Sequence, residues 1–185
     1  LNSSTGRLVP SLIPAIAEQS ALEIGDGTGL FSTRLKEHGA KFIVATEIGG
    51  GAVNPAVDSI GRQYMVRAHL QRLPFQDQSF DFAIANLITP YQGDMTRALK
   101  ELSRVMTTGG TLIVLDFHPF GPYARRGNAR IRPTTSAFRG LGDYYKLMKM
   151  AGLRVSDVRE SFMDETVRAS LQSDQEKQAY RSLRD

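Results

Sequence analysis

The sequence predicts an α/β fold, with a mostly parallel sheet and helices on both of its faces. Three observations carry that reading. Short β-like runs alternate with helical stretches along the chain, the pattern of strands joined by crossover helices. A glycine turn, Gly25-Asp26-Gly27-Thr28-Gly29, stands between the first run and the first helix. A strongly apolar run, Thr111–Phe117, has the character of a strand deep in a sheet. The 185 residues are enough for one domain with a real core and too few for two comfortable ones, so residues 1–185 are read as a single domain.

Each element follows in order. Ala21–Gly25 is a short apolar run ending in glycine, the first strand. Leu30–His38 reads as a helix with Phe31 and Leu35 on one face, and Gly39 is its natural stop. Lys41–Glu47 is the second strand, Gln63–Arg67 a weaker third and Phe80–Asn86 the fourth. Met95–Met106 reads as a helix with Leu99, Leu102 and Met106 on its core side. Thr111–Phe117 is the fifth strand. The segment from 121 to 140 is loop-like, rich in Arg, Gly and Pro. Gly142–Ala151 reads as a helix closed by Gly152, and Leu153–Glu160 alternates apolar and polar residues like a strand near the sheet edge. The tail from Asp164 to Arg184 is polar and helical in pattern.

Composition narrows the function. Hydrophobic residues make up 41% and charged residues 23%, ordinary for a globular protein. With no cysteine in the chain, a disulfide scaffold and a thiolate metal site are excluded, and no metal is expected. No apolar run approaches the ~20 residues of a membrane span, and no signal peptide is visible, so a cytoplasmic location is expected. The chain opens on Leu1, as expected of a segment of a longer one. The net charge of +4 is modest, but Arg125, Arg126, Arg130, Arg132 and Arg139 stand between Gly121 and Gly140 with no acid among them. Such a run is either a solvated basic loop or a clamp for an anionic substrate, carrier or nucleic acid.

The chemistry-bearing motif is Glu23-Ile24-Gly25-Asp26-Gly27-Thr28-Gly29. Its glycines let the backbone turn sharply and approach a ligand, and the following helix offers N–H groups to an anion. A dinucleotide fingerprint wants G-x-G-x-x-G, but the sixth position from Gly25 is Leu30. What stands here is G-x-G-x-G with an acid two residues before it. Glu47 ends the second strand about 20 residues further on, where a carboxylate can accept both hydroxyls of a ribose. Further along come His69-Leu70-Gln71-Arg72-Leu73-Pro74-Phe75 with Asp77 and Ser79-Phe80-Asp81, then Asn86-Leu87-Ile88-Thr89-Pro90-Tyr91, then Leu99-Lys100-Glu101-Leu102-Ser103-Arg104-Val105-Met106-Thr107-Thr108-Gly109-Gly110.

In this order these motifs resemble the class I S-adenosylmethionine-dependent methyltransferases, over about Ala21 to Phe117. The resemblance is strongest to small-molecule enzymes of the ubiquinone, menaquinone and biotin pathways. It implies a Rossmann-like sheet that finishes on an antiparallel strand; no run after Glu160 reads as that strand, so either the chain is trimmed or the strand is lacking. It also implies S-adenosylmethionine as cofactor. Glu23, Gly25, Asp26, Gly27, Thr28 and Gly29 would hold its methionine part, Glu47 its ribose, and Ile48, His69 and Leu70 its adenine, with Asn86 beneath the transferring methyl. His69 stands where the family often has Asp, and an imidazole nitrogen can accept the bond from the adenine amine in its place. Gly49-Gly50-Gly51 departs from the family, which usually starts a helix there, and Thr108 replaces a usual proline.

A sulfonium methyl is already activated, so transfer by in-line displacement needs alignment and a dry site more than acid–base chemistry. An oxygen or carbon acceptor can need a base, and His118 and Tyr91 are the candidates; Asp116 reads as a structural acid at a strand end. The leading expectation is methylation of a small molecule, with a carboxylate or carrier-bound acid suited to the arginine loop. The alternatives are an RNA or protein methyltransferase, disfavoured because Asn86 is not followed by Pro-Pro, and a non-catalytic domain of the same fold. An edge left by a missing strand would invite a dimer.

Overall fold

A computed structural model describes residues 12–25, 29, 31–48, 63–86, 94–116 and 140–159. The elements are β1 (Ser20–Gly25), α1 (Ser32–Glu37), β2 (Phe42–Glu47), β3 (Gln63–Arg67), β4 (Phe80–Asn86), α2 (Met95–Val105), β5 (Met106–Leu115) and α3 (Leu141–Met150). The strands form one sheet in the order β3-β2-β1-β4-β5, every pairing parallel. The predicted fold class stands.

The two-residue period of the strands builds two cores, one on each face of the sheet. Leu22 and Ile24 of β1, Val44 of β2, and Ala83 and Ala85 of β4 face α2, where they meet Leu99, Leu102 and Val105. Their neighbours Ala21, Ile43, Phe82 and Ile84 face the other way, onto Phe31 and Leu35 of the α1 segment and onto Ile13 and Ile16. This two-sided burial explains why β1 and β4 read as continuous apolar runs. Phe31, Phe82, Leu99 and Leu102 are among the largest fully buried side chains. Burying one such side chain contributes about 1.5–3 kcal/mol.

Helix limits follow local chemistry. The Asp94 side chain caps α2 by accepting from the Arg97 N–H at 3.2 Å. Gly39 ends the α1 segment as predicted, with a φ of +90°. The fifth strand begins earlier than its apolar run does. Met106 already pairs with Phe80, whereas Thr111 pairs with Phe82, so the ladder shifts register between them. Gly110 stands in that irregularity. A Cβ there would lie 2.9 Å from the Asp81 carbonyl oxygen and 3.0 Å from that of Thr107, so the close approach admits only glycine.

One expected strand is corrected. Residues 153–159 carry no strand. The Leu153 N–H bonds back to the Met148 carbonyl at 2.9 Å, so the start of the expected run closes α3 instead. Leu153 packs beside the α2 core, which accounts for its apolar character without a ladder; alternation records a half-buried face, not a hydrogen-bond partner. The 164–184 tail and the expected missing last strand lie outside the described residues.

Candidate active site

In an open parallel sheet ligands bind beyond the carboxyl ends of the strands, where the strand order reverses. Here that point falls between β1 and β4, because β1 is followed outward by β2 on one side and by β4 on the other. Gly25 and Glu47 are paired across β1 and β2, and the Ile48 N–H donates to the Gly25 carbonyl at 3.1 Å. Asn86 follows the Ile24–Ala85 pair on β4, and Asp116 follows β5. The sequence-predicted residues Gly25, Glu47, Ile48 and Asn86 therefore meet at one end of the sheet.

Glu23 is 4% exposed. Its Oε1 accepts from the Phe31 N–H at 3.0 Å and its Oε2 from the Ser32 hydroxyl at 2.6 Å. Having the parity of Ala21, it points to the α1 face, and there the carboxylate ties the end of the glycine turn to the helix. The Ser32 N–H donates to the Gly29 carbonyl at 3.2 Å, and Gly29 has a φ of +66°, which suits glycine. The N–H groups of Phe31 and Ser32 are thus bonded within the turn. Glu23 acts on the turn rather than pointing out of it. Asp26, Gly27 and Thr28 lie outside the described residues.

Glu47 is only 1% exposed although it ends its strand. Arg67 Nε, on an exposed side chain of β3, lies 3.7 Å from its Oε2. A surface cation thus stands beside this buried acid at the switch point. Ile48 packs against the α2 core, as do Val66 and Ala68, which offers an apolar side chain beside that acid.

The chain leaving β3 passes Ala68, whose N–H donates to the Glu47 carbonyl at 3.0 Å, and reaches His69 and Leu70. Leu70 is 5% exposed, and His69 is exposed. His69 Nδ1 accepts from the Gln71 N–H at 3.3 Å, so a neutral ring carries its proton on Nε2 and offers a donor outward.

Sequence reasoning did not foresee what holds this loop. Arg104 of α2 donates to the Leu73 carbonyl at 3.1 Å and the Phe75 carbonyl at 2.8 Å. It also bonds Asp77 at 2.7 Å and both oxygens of Glu101, at 2.9 and 2.8 Å. Glu101 in turn accepts from the Leu73 N–H at 2.9 Å. The Arg104 hydrogen bond, with the Leu73 N–H, holds the Glu101 carboxyl below its ordinary range against the opposing effect of burial. Glu101 and Asp77 raise Arg104 further above its usual value. The signal was present as an acid three residues before an arginine on one helix, but that spacing alone reads as a surface pair.

Asn86 is half-buried at the end of β4, paired with Leu115. Next to it the Tyr144 hydroxyl of α3 donates to Asp116 Oδ2, so the acid read as structural has a phenol partner from a distant helix. Tyr91, His118 and the arginines at 125, 126, 130, 132 and 139 lie outside the described residues. Among the described residues no group of His, Asp or Glu could hold a metal ion, and no helix is long and apolar enough to cross a membrane.

Comparison with known proteins agrees with this geometry. The family described as "Methyltransferase domain" matches residues 22–114, half of the chain. A demethylmenaquinone methyltransferase of Clavibacter sepedonicus is 32% identical over 124 residues, covering 62% of this chain and 48% of that protein. A malonyl-[acyl-carrier protein] O-methyltransferase of Buchnera aphidicola is 24% identical over 156 residues, covering 84% of this chain and 58% of that one. The chain thus spans about half the length of the curated relatives it matches. An S-adenosylmethionine-dependent methyltransferase from Mesorhizobium loti has the same fold, with a TM-score of 0.72 at 18% identity, covering 98% of this chain and 91% of that one. Strand order, the buried acid at the switch point and a family match over half its length make the chain a member of the class I S-adenosylmethionine-dependent methyltransferases.

Proposed function

We propose that the protein transfers a methyl group from S-adenosylmethionine to a small-molecule acceptor by in-line displacement. One observation carries the assignment of the donor site: the buried Glu47 carboxylate stands beside Gly25 at the switch point. Glu47 accepts the two ribose hydroxyls, whose paired donors match its two oxygens. Ile48 packs on the adenine face, Leu70 closes it from the next connection, and the outward Nε2–H of His69 donates to an acceptor nitrogen of the ring. The turn of Gly25, Asp26, Gly27, Thr28 and Gly29, tied down by Glu23, holds the methionine part. Asn86 is assigned to the transferring methyl, and Tyr91 and His118 remain the sequence candidates for a base. When bound, S-adenosylmethionine supplies a methyl already activated on a sulfonium. The residues around it align the two reactants and exclude water.

The relatives support a small acceptor and divide over its chemistry, one being named for malonyl-[acyl-carrier protein] and one for demethylmenaquinone. The run of arginines in the sequence favours an anionic group somewhere on the acceptor.

Calorimetric titration with S-adenosylmethionine and S-adenosylhomocysteine tests the donor site. Both are expected to bind with a Kd on the order of 10 µM, and Gly27→Arg, which fills the turn, abolishes binding of both. Heat from neither ligand with the unaltered chain sinks the assignment.

A further inference from the structure

The contact between Tyr144 and Asp116 involves none of the residues assigned above to the donor. Asp116 follows Leu115, whose partner across the ladder is Asn86. With parallel strands about 4.8 Å apart, Asp116 stands two strands and about 10 Å from Gly25 at the end of β1, on the side away from Glu47. The phenol comes from α3, a helix with no buried residue, which packs on the core through Leu147 and Met148. Tyr144 lies one turn before that contact, so its ring reaches the sheet's end and its hydroxyl donates to Asp116 Oδ2 in a part-buried setting.

We propose that Tyr144 and Asp116 form a proton-accepting pair on the acceptor side of the site, and that the acceptor carries a weakly acidic hydroxyl of the phenol class. The proposal rests on the methyl-transfer reading above and narrows it. A carboxylate acceptor is already ionised and needs no base, whereas a hydroxyl must lose a proton as its oxygen is alkylated. The acceptor O–H gives its proton to the Tyr144 oxygen, and the Tyr144 proton moves to Asp116 Oδ2. The acceptor oxygen's electron pair forms the bond to the methyl carbon. The methyl–sulfur bond breaks with its pair left on sulfur, which becomes a neutral thioether. Asp116 holds the proton until solvent removes it.

The test uses the full chain and 4-nitrocatechol, a phenol whose absorbance reports loss of its proton. At a pH below the free probe's own ionisation, binding to protein loaded with S-adenosylhomocysteine should raise the phenolate band. Tyr144→Phe, which keeps the ring, and Asp116→Asn should each abolish that rise while S-adenosylhomocysteine affinity stays unchanged. With S-adenosylmethionine and 4-nitrocatechol as substrates, kcat in either variant should fall by about 100-fold or more, with the donor KM unaltered. A phenolate band and rate in Tyr144→Phe within about threefold of the unaltered chain overturn the proposal, since a removed base is worth more than that. So does a loss of rate matched by loss of S-adenosylhomocysteine affinity, the mark of a merely structural tie. A chain that binds S-adenosylhomocysteine but leaves 4-nitrocatechol protonated and unmethylated overturns this proposal alone. A chain that binds no S-adenosylhomocysteine overturns the reading beneath it.

Discussion

The two connections that flank the donor site are locked by opposite charges. After β1, a buried carboxylate, Glu23, gathers the Phe31 N–H and the Ser32 hydroxyl. After β3, a guanidinium, Arg104, gathers the Leu73 and Phe75 carbonyls. The difference follows from what each backbone leaves unpaired. A turn entering a helix presents N–H groups, and an acid satisfies them. A loop leaving a strand without entering a helix presents carbonyls, and an arginine with five donors satisfies several at once. Glu23 is supplied locally, eight and nine residues from its partners, whereas Arg104 reaches back 31 residues to Leu73.

The largest effect is expected at the buried carboxylate. Glu23→Ala should cost about 3 kcal/mol in urea unfolding, because the buried Phe31 N–H loses its acceptor. Glu23→Gln retains one acceptor and should lose about half as much. Equal losses in the two variants would show that packing, not hydrogen bonding, sets the value. Arg104→Ala comes next, at about 2 kcal/mol, since its site is part-exposed and water replaces some bonds. If the two locks are independent, the double variant should be additive within about 0.5 kcal/mol; a larger coupling would merge the two regions into one.

Glu47 sharpens the contrast, since it is buried like Glu23 but assigned to the ligand. Glu47→Gln should weaken S-adenosylhomocysteine binding by about tenfold, or about 1.4 kcal/mol, and leave the unfolding midpoint almost unchanged. A large fall in that midpoint would make Glu47 a second Glu23. The smallest effect concerns pH. Because the folded carboxyl of Glu101 is held below its ordinary range, its contribution is fully present above the unfolded value of about 4.3. It is lost as pH falls through the lower folded value. Unfolding at about pH 6 and about pH 3.5 should show a smaller acid loss in Glu101→Gln than in the unaltered chain, by about 1 kcal/mol or less.

The sequence by itself determined the sheet and the strand-end acid, because those depend on short-range regularities. A period of two and an acid closing an apolar strand are both visible within a few residues. The same regularities place Gly25, Glu47, Ile48 and Asn86 at strand ends, and parallel pairing then brings those ends together. Only the tertiary structure decided the rest. Which way Glu23 points depends on where Phe31 and Ser32 pack. Whether 153–159 becomes a strand depends on a ladder partner, which alternation cannot record. The hydrogen bonds from Arg104 to Leu73 and from Tyr144 to Asp116 join residues 31 and 28 apart. No local pattern encodes such pairs, because their distance is set by how helices lie on the sheet, and that is fixed by the packing of the whole core.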